Sequence, residues 1–111
     1  MVFLGDFNCE IGKQTCDAVD CHQSPHCDGL VAEAISDLFC TFGVFVPSTV
    51  ADLHSGQRHT HVSPILGMRR IDYIGLPETW RKATQWSWID ATMDLLSASE
   101  DHHLALISCQ C

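Results

Sequence analysis

The chain has 111 residues, which is enough for one small domain with a core and too few for two. Its composition, 46% hydrophobic and 18% charged, favours a folded globular domain over a disordered chain, and its net charge of −8 opposes nonspecific attraction to nucleic acid. Because no apolar run approaches the ~20 residues of a membrane-spanning helix and no signal peptide is recognisable, we expect no membrane contact and an intracellular location, nuclear or cytoplasmic.

The first predicted element is a short buried strand at "MVFLG", followed by the turn "GDFNCEIG". The turn holds Asp6 just past the carboxyl end of the strand and Asn8 two residues later. Aspartate and asparagine are ordinary turn formers, so the segment is either a surface loop or part of a phosphate-handling site.

Seven cysteines follow the pattern of an intracellular protein, since their number is odd and no secretory signal precedes them. We therefore expect reduced thiols. The segment "CDAVDCHQSPHC" could surround zinc, but its spacings match no short paired-cysteine template. Its ligand-capable residues are Cys16, Cys21, His22, His26 and Cys27.

One helix is predicted over "DGLVAEAISDLFC", where apolar residues recur at helical spacing behind a possible Asp28 cap. A strand follows in "TFGVFVPS" and ends at Pro47. The next segment, "ADLHSGQRHTHVSPILG", is rich in His, Ser, Gly and Pro, which predicts a long loop or a hairpin.

The strand predicted at "RRIDYIGL" has Asp72 between Ile71 and Tyr73. A carboxylate in an apolar strand loses solvation on folding, so it requires a partner or a function, and a histidine is the obvious partner. Further strands are predicted at "QWSWID" and in "SEDHHLALISCQC", where Asp101 and His102 precede the apolar run.

The segment from 58 to 82 concentrates positive charge in an acidic chain, with five of the six basic residues. This segment contains Arg58, Arg69, Arg70, Arg81 and Lys82, together with His59 and His61. It is either a contact surface for phosphates, with Arg69 and Arg70 as candidate substrate-binding residues, or a solvated loop face.

Three ordered segments, "GDFN", "RRIDYIGLP" and "EDHHLAL", resemble successive motifs of the endonuclease/exonuclease/phosphatase superfamily and span nearly the whole chain. In the third segment Glu100 stands where the family has serine and Leu104 where it usually has proline. The helix and "FVPST" also resemble members encoded by non-LTR retrotransposons, whose reverse-transcriptase polyproteins include an endonuclease. That resemblance implies DNA nicking, whereas the wider superfamily also includes exonucleases, abasic-site nucleases and phosphatases.

The resemblance implies a role for each matching residue. Asp6 would orient or deprotonate the attacking water, and Asn8 would hold a phosphate oxygen. Asp101 would bind a divalent cation, normally Mg²⁺. His102 would contact the scissile phosphate, and Asp72 would hydrogen-bond and orient the histidine ring.

The implied fold is α/β (α+β): a partial two-sheet α/β sandwich with a mixed sheet and one clear helix, in which residues 1–111 form the C-terminal half of the family domain. The family's early asparagine, metal-binding glutamate and tyrosine have no counterpart in the five residues before Asp6. We therefore expect a fragment or degenerate copy that shares its Mg²⁺ with an N-terminal half, and that is inactive and marginally stable alone. Its uncovered sheet could pair with another chain. The alternative is a non-catalytic relic that binds a metal or a protein partner.

Overall fold

The computed structural model of the chain describes residues 1–12, 18–19, 29–90 and 101–110, except for the side chain of Asp101. The strands are β1 (Phe3–Asp6), β2 (Val44–Phe45), β3 (His54–Gly56), β4 (His61–Ser63), β5 (Gly67–Arg69), β6 (Asp72–Pro77), β7 (Thr84–Asp90), β8 (Asp101–His102) and β9 (Leu104–Cys109). Helix α1 covers Gly29–Thr41, and 3₁₀ turns cover Pro47–Thr49 and Glu78–Ala83.

The strands form three small sheets, which we number by their order in the chain. The first sheet has the order β1-β6-β2 and the third has the order β5-β4-β8, and both are antiparallel. The second sheet, β3-β7-β9, is mixed, because β3 runs parallel to β7 and β9 runs antiparallel to it. Within the described residues the chain is therefore an α+β protein with one clear helix, as predicted at that level.

The main core lies between the first sheet and α1, and aromatic rings dominate it. Phe39 of the helix is fully buried and packs against Phe3 and Phe7, with ring centroids 5.3 and 6.0 Å apart. Tyr73 on β6 is 1% exposed and lies 5.9 Å from the ring of Phe7. The predicted alternation is confirmed from Asp72 to Gly75, where Tyr73 and Gly75 are buried and Asp72 and Ile74 are half-buried, but it stops at Leu76, which is also buried.

Helix α1 buries a narrower stripe than its apolar content indicates. Its buried residues are Ala32, Ser36 and Phe39, which are spaced four and three residues apart and so share one face. Leu30 and Val31 are exposed. The helix ends at Thr41, and two residues later Gly43 has a φ of 61°, in the left-handed region, and donates its N–H to the Cys40 carbonyl. The possible cap Asp28 lies outside the described residues.

The segment predicted as a loop or hairpin contains a hairpin and one extra strand. β4 and β5 pair from His61 opposite Arg69 to Ser63 opposite Gly67. The Ser63 hydroxyl accepts hydrogen bonds from the backbone N–H groups of Ile65 and Leu66, which closes the turn. The additional strand, β3, was not predicted, because three residues are too few to show a period.

The second sheet exposes large apolar side chains on one face. Trp86 and Trp88 of β7 are 45% and 42% exposed, and Leu106 of β9, directly opposite Trp88, is 38% exposed. No helix among the described residues is long and apolar enough to cross a membrane.

The cysteines only partly follow the expectation of reduced thiols. Cys9 and Cys109 are reduced thiols, as expected. The expectation is wrong for Cys40, an exposed residue in the last turn of α1, which is disulfide-bonded. The zinc candidates between Cys16 and Cys27 lie outside the described residues.

Gly75 on β6 packs closely against Val44 of β2. A Cβ atom at this position would lie 2.7 Å from Cγ1 of Val44, closer than two carbon atoms can pack. We expect Gly75→Ala to lower the free energy of unfolding by about 1–3 kcal/mol, because the core must move to accommodate the methyl group.

Urea denaturation of a double-mutant cycle tests this expectation. In a Val44→Ala background the clashing Cγ1 is gone, so Gly75→Ala should cost less there, by at least about 0.5 kcal/mol. Equal costs in the two backgrounds would show that the contact with Val44 does not limit this position.

Candidate active site

Two carboxylates meet at the edge of the first sheet because of strand register. β1 ends at Asp6, β6 begins at Asp72, and these two residues are direct cross-strand partners. Like charges directly opposite each other on a sheet destabilise it unless a third group compensates. The register therefore creates a local demand for a positive charge or a hydrogen-bond donor.

His102 lies at this point. Its Nδ1 is 3.0 Å from Oδ2 of Asp72, a hydrogen-bond distance, and its Nε2 is 3.9 Å from Oδ2 of Asp6. An ionised carboxylate can only accept a hydrogen bond, so Nδ1 carries the hydrogen toward Asp72. That assignment directs Nε2 toward Asp6. We call these three residues the Asp–His–Asp cluster.

The cluster lies in an open cleft of about 460 Å³. Apolar walls are supplied by Leu4, Ile74 and Leu104, among others, and the polar groups are concentrated at the cluster. Exposure differs between the two carboxylates: 47% of the Asp6 side chain is accessible against 21% for Asp72. Asp6 can therefore contact a ligand in the cleft, whereas Asp72 mainly contacts the histidine.

Carboxylate and imidazole atoms of the Asp–His–Asp cluster lie close enough to share one cation. One ligand atom from each of the three residues lies within 4.8 Å of the other two. Divalent cations such as Mg²⁺ are held in proteins by one or two carboxylates with the remaining positions filled by water or substrate oxygens. The donor set of this cluster fits such an ion.

Two pairs of imidazole rings lie in contact near the Asp–His–Asp cluster, and one of them includes His102. The rings of His61 and His102 have centroids 4.7 Å apart, because His61 is the β4 partner of His102. The rings of His59 and His103 are 5.5 Å apart. Burial, and then the charges of His103 and Arg70, lower the pKa of His59.

Thr60 is a site residue that the sequence analysis missed. It is fully buried, and its Oγ1 accepts hydrogen bonds from the backbone N–H groups of Ile71 and Asp72, each at 3.1 Å. Its carbonyl accepts from the N–H of His103 at 2.7 Å. A threonine within a polar histidine-rich loop carries no periodic signal, so no sequence pattern identifies it.

Asn8 lies in the turn after β1, where it is exposed and has a φ of 51°. Its backbone N–H donates to Oδ1 of Asp6 at 2.7 Å, which is the Asx-turn geometry considered for this segment. This bond holds one oxygen of Asp6 at the turn and leaves Oδ2 on the side of His102. The backbone of Asp101 lies in β8 opposite Val62, but its side chain lies outside what the structure describes.

The side chain of Arg70, a predicted substrate contact, is interior, and its contact with substrate stays a prediction. Arg70 is 4% exposed, and its Nε donates to the carbonyl of Arg58. Burial lowers the pKa of its guanidinium to about 10. The Tyr73 hydroxyl donates to the Arg70 carbonyl and accepts from the N–H of Ile11, and burial raises the pKa of this phenol. Arg69 is half-buried in β5, and its predicted substrate contact stays a prediction.

The lowered pKa of His59 predicts a pH dependence of folding. The folded state favours the neutral imidazole, so the associated stability is present above about pH 6.5, the usual histidine value, and is lost as the pH falls through that value toward the folded-state pKa. We expect His59→Gln to weaken the fall in the urea midpoint between about pH 7.5 and about pH 5.5. Ser55→Ala, at an exposed position on β3, is the control, and an unchanged fall in His59→Gln would contradict the assignment.

No family model, no curated protein and no solved structure matches the chain.

Proposed function

We propose that this chain carries active-site residues of a Mg²⁺-dependent phosphodiester hydrolase of the endonuclease/exonuclease/phosphatase type, with DNA as its substrate. The observation that carries the proposal is the Asp–His–Asp cluster. Its members come from three separate segments, "GDFN", "RRIDYIGLP" and "EDHHLAL", and meet in one cleft. The motif resemblance implies the same grouping.

The fold supports the proposal in a coarser way. The described residues form an α+β chain with three small sheets and α1 against the first, which agrees with an α/β sandwich at the level of fold class. The exposed face of the second sheet, with Trp86 and Trp88, is compatible with a partner layer. We therefore extend the proposal to a partial sandwich of that family.

His102 would act through its Nε2. Asp72, at 3.0 Å from Nδ1, fixes the ring orientation and complements the positive charge of a protonated imidazole. Nε2 then faces the cleft, and when the ring is doubly protonated Nε2 can donate a hydrogen bond to a phosphate oxygen as negative charge develops there.

Asp6 would serve the attacking water. Its side chain is half exposed in the cleft, and its Oδ2 is 3.9 Å from Nε2 of His102, too far for a direct hydrogen bond. That spacing leaves the carboxylate free to orient a water molecule and accept its proton.

The carboxylate of Asp6 would also be a ligand for Mg²⁺, and the motif resemblance adds Asp101. When bound, such an ion supplies Lewis-acid polarisation of the phosphoryl oxygen. The positioning of the histidine, by contrast, depends only on this chain's own residues.

Ca²⁺-dependent DNA binding is the first test of this function. Ca²⁺ can occupy an oxygen-ligand site while binding is measured without turnover. By fluorescence anisotropy, we expect the chain to bind a duplex oligonucleotide more tightly in Ca²⁺ than in EDTA, with an affinity that falls as salt rises. His102→Ala should weaken binding by about tenfold or more, because hydrogen bonds to charged groups contribute about 1.5–3 kcal/mol.

Asp6→Asn should abolish the Ca²⁺ dependence. Its matched control is Asp37→Asn, which removes the same charge from an exposed position on α1 outside the cleft. Equal affinity in Ca²⁺ and EDTA for the unmodified chain, or equal effects of the two asparagine variants, would contradict the proposal. Nicking of DNA in Mg²⁺ that disappears in Asp6→Ala and His102→Ala would instead overturn the expectation that the chain alone is inactive.

A second candidate, a non-catalytic domain that binds a metal or a protein partner, is favoured by two observations. The net charge of −8 opposes DNA, and Trp86 and Trp88 are exposed together on one sheet face. Calorimetric Ca²⁺ binding without any effect of Ca²⁺ on DNA affinity would support this candidate over the hydrolase.

A further inference from the structure

We propose that Thr60 is a positioning residue of the Asp–His–Asp cluster: its hydrogen bonds hold the backbone at Asp72 and next to His102, so that the two side chains meet. This inference rests on the proposed function for its catalytic meaning, but its geometry is independent of substrate and metal.

The hydroxyl of Thr60 holds the backbone at Asp72. The Thr60 hydroxyl oxygen accepts two backbone N–H groups, from Ile71 and Asp72, at 3.1 Å each. A hydroxyl oxygen has two lone pairs, so both are used. The oxygen thus takes the place of a neighbouring strand at the start of β6, and it fixes the backbone from which the Asp72 carboxylate projects.

The backbone of Thr60 holds the residue that follows His102. The Thr60 carbonyl accepts from the N–H of His103 at 2.7 Å, and the Thr60 N–H donates to the carbonyl of Arg69 at 2.9 Å. The residue after His102 is therefore tied to the same buried residue that holds Asp72. Thr60 joins the first sheet to the third through four hydrogen bonds, and it is 0% exposed, so water cannot replace them.

Substitutions at Thr60 can remove the hydroxyl contacts while leaving the backbone contacts in place. Thr60→Val keeps the shape and both backbone bonds, but it leaves the N–H groups of Ile71 and Asp72 without their acceptor. The start of β6 must then shift to find other partners, and the 3.0 Å bond from His102 to Asp72 depends on that position. Thr60→Ser keeps the oxygen and removes only a methyl group.

The experiment follows the imidazole of His102 directly. Two-bond ¹H–¹⁵N correlation spectra report which ring nitrogen carries the hydrogen, and His102→Gln assigns the signal among the seven histidines. We expect the Nδ1-protonated form in the unmodified chain and in Thr60→Ser, and its loss to mixed tautomers in Thr60→Val. The Ca²⁺-dependent affinity for duplex DNA should fall about tenfold in Thr60→Val, as is usual when the group behind a site residue is removed.

Thr49→Val is the matched control. Thr49 is also 0% exposed, and its hydroxyl donates to the carbonyl of Val46, outside the cleft. Thr49→Val should lower thermal stability without changing the His102 signal. An unchanged signal in Thr60→Val, or an equal change in Thr49→Val, would overturn the proposal.

Two further outcomes keep the test decisive. If Thr60→Val does not fold, the test is made on Thr60→Ser. Loss of the Nδ1-protonated form in folded Thr60→Ser would overturn the proposal, because it would show that packing rather than the hydroxyl holds the site. If the unmodified chain shows no Ca²⁺-dependent DNA binding but Thr60→Val still changes the His102 tautomer, the proposed function fails while the positioning role stands.

Discussion

The cross-strand pairing of Asp6 with Asp72 is the constraint on which the site depends. Strand register places two carboxylates side by side, and their repulsion opposes the pairing of β1 with β6. The imidazole of His102 relieves part of that repulsion through its bond to Asp72, so the third sheet stabilises an edge of the first. The feature that makes the cluster chemically useful, concentrated negative charge next to a base, is also what makes it costly to fold.

This coupling between sheets explains why buried polar groups gather behind the site. Thr60 links the two sheets, and Tyr73 joins the Arg70 carbonyl to the N–H of Ile11. The backbone N–H of Arg70 in turn donates to the Glu10 carboxylate at 3.2 Å. Buried groups of this kind stabilise one arrangement because each alternative leaves a donor or acceptor without a partner. The cleft is thus open on one side and held by hydrogen bonds on the other.

The sequence predicted the members of the cluster better than it predicted their supports. Asp72 was identifiable because a carboxylate between Ile71 and Tyr73 cannot be buried without a partner, and the choice of a histidine agrees with the contact to His102. Strand β6 was predictable from its alternation. Arg70 was assigned to a phosphate-contact surface because positive charge is concentrated in residues 58–82, whereas its side chain is interior and its Nε donates to the backbone carbonyl of Arg58.

Local pattern could not predict the contacts that join distant loops. Thr60 lies just before β4 and Asp72 begins β6, twelve residues later, and neither the loop composition nor the strand period contains information about their bond. The same limit applies to β3, which pairs in parallel with β7 more than thirty residues away.

A histidine-rich loop shows only that imidazoles are available, and tertiary packing decides which of them reaches a carboxylate. Here His61 lies beside His102 as its strand partner, while His102 alone of the two bonds to Asp72, because the β4 to β8 register gives them different neighbours. Strand register therefore decides which imidazole contacts the carboxylates, and a shift of one residue between β4 and β8 would remove His102 from between the two carboxylates.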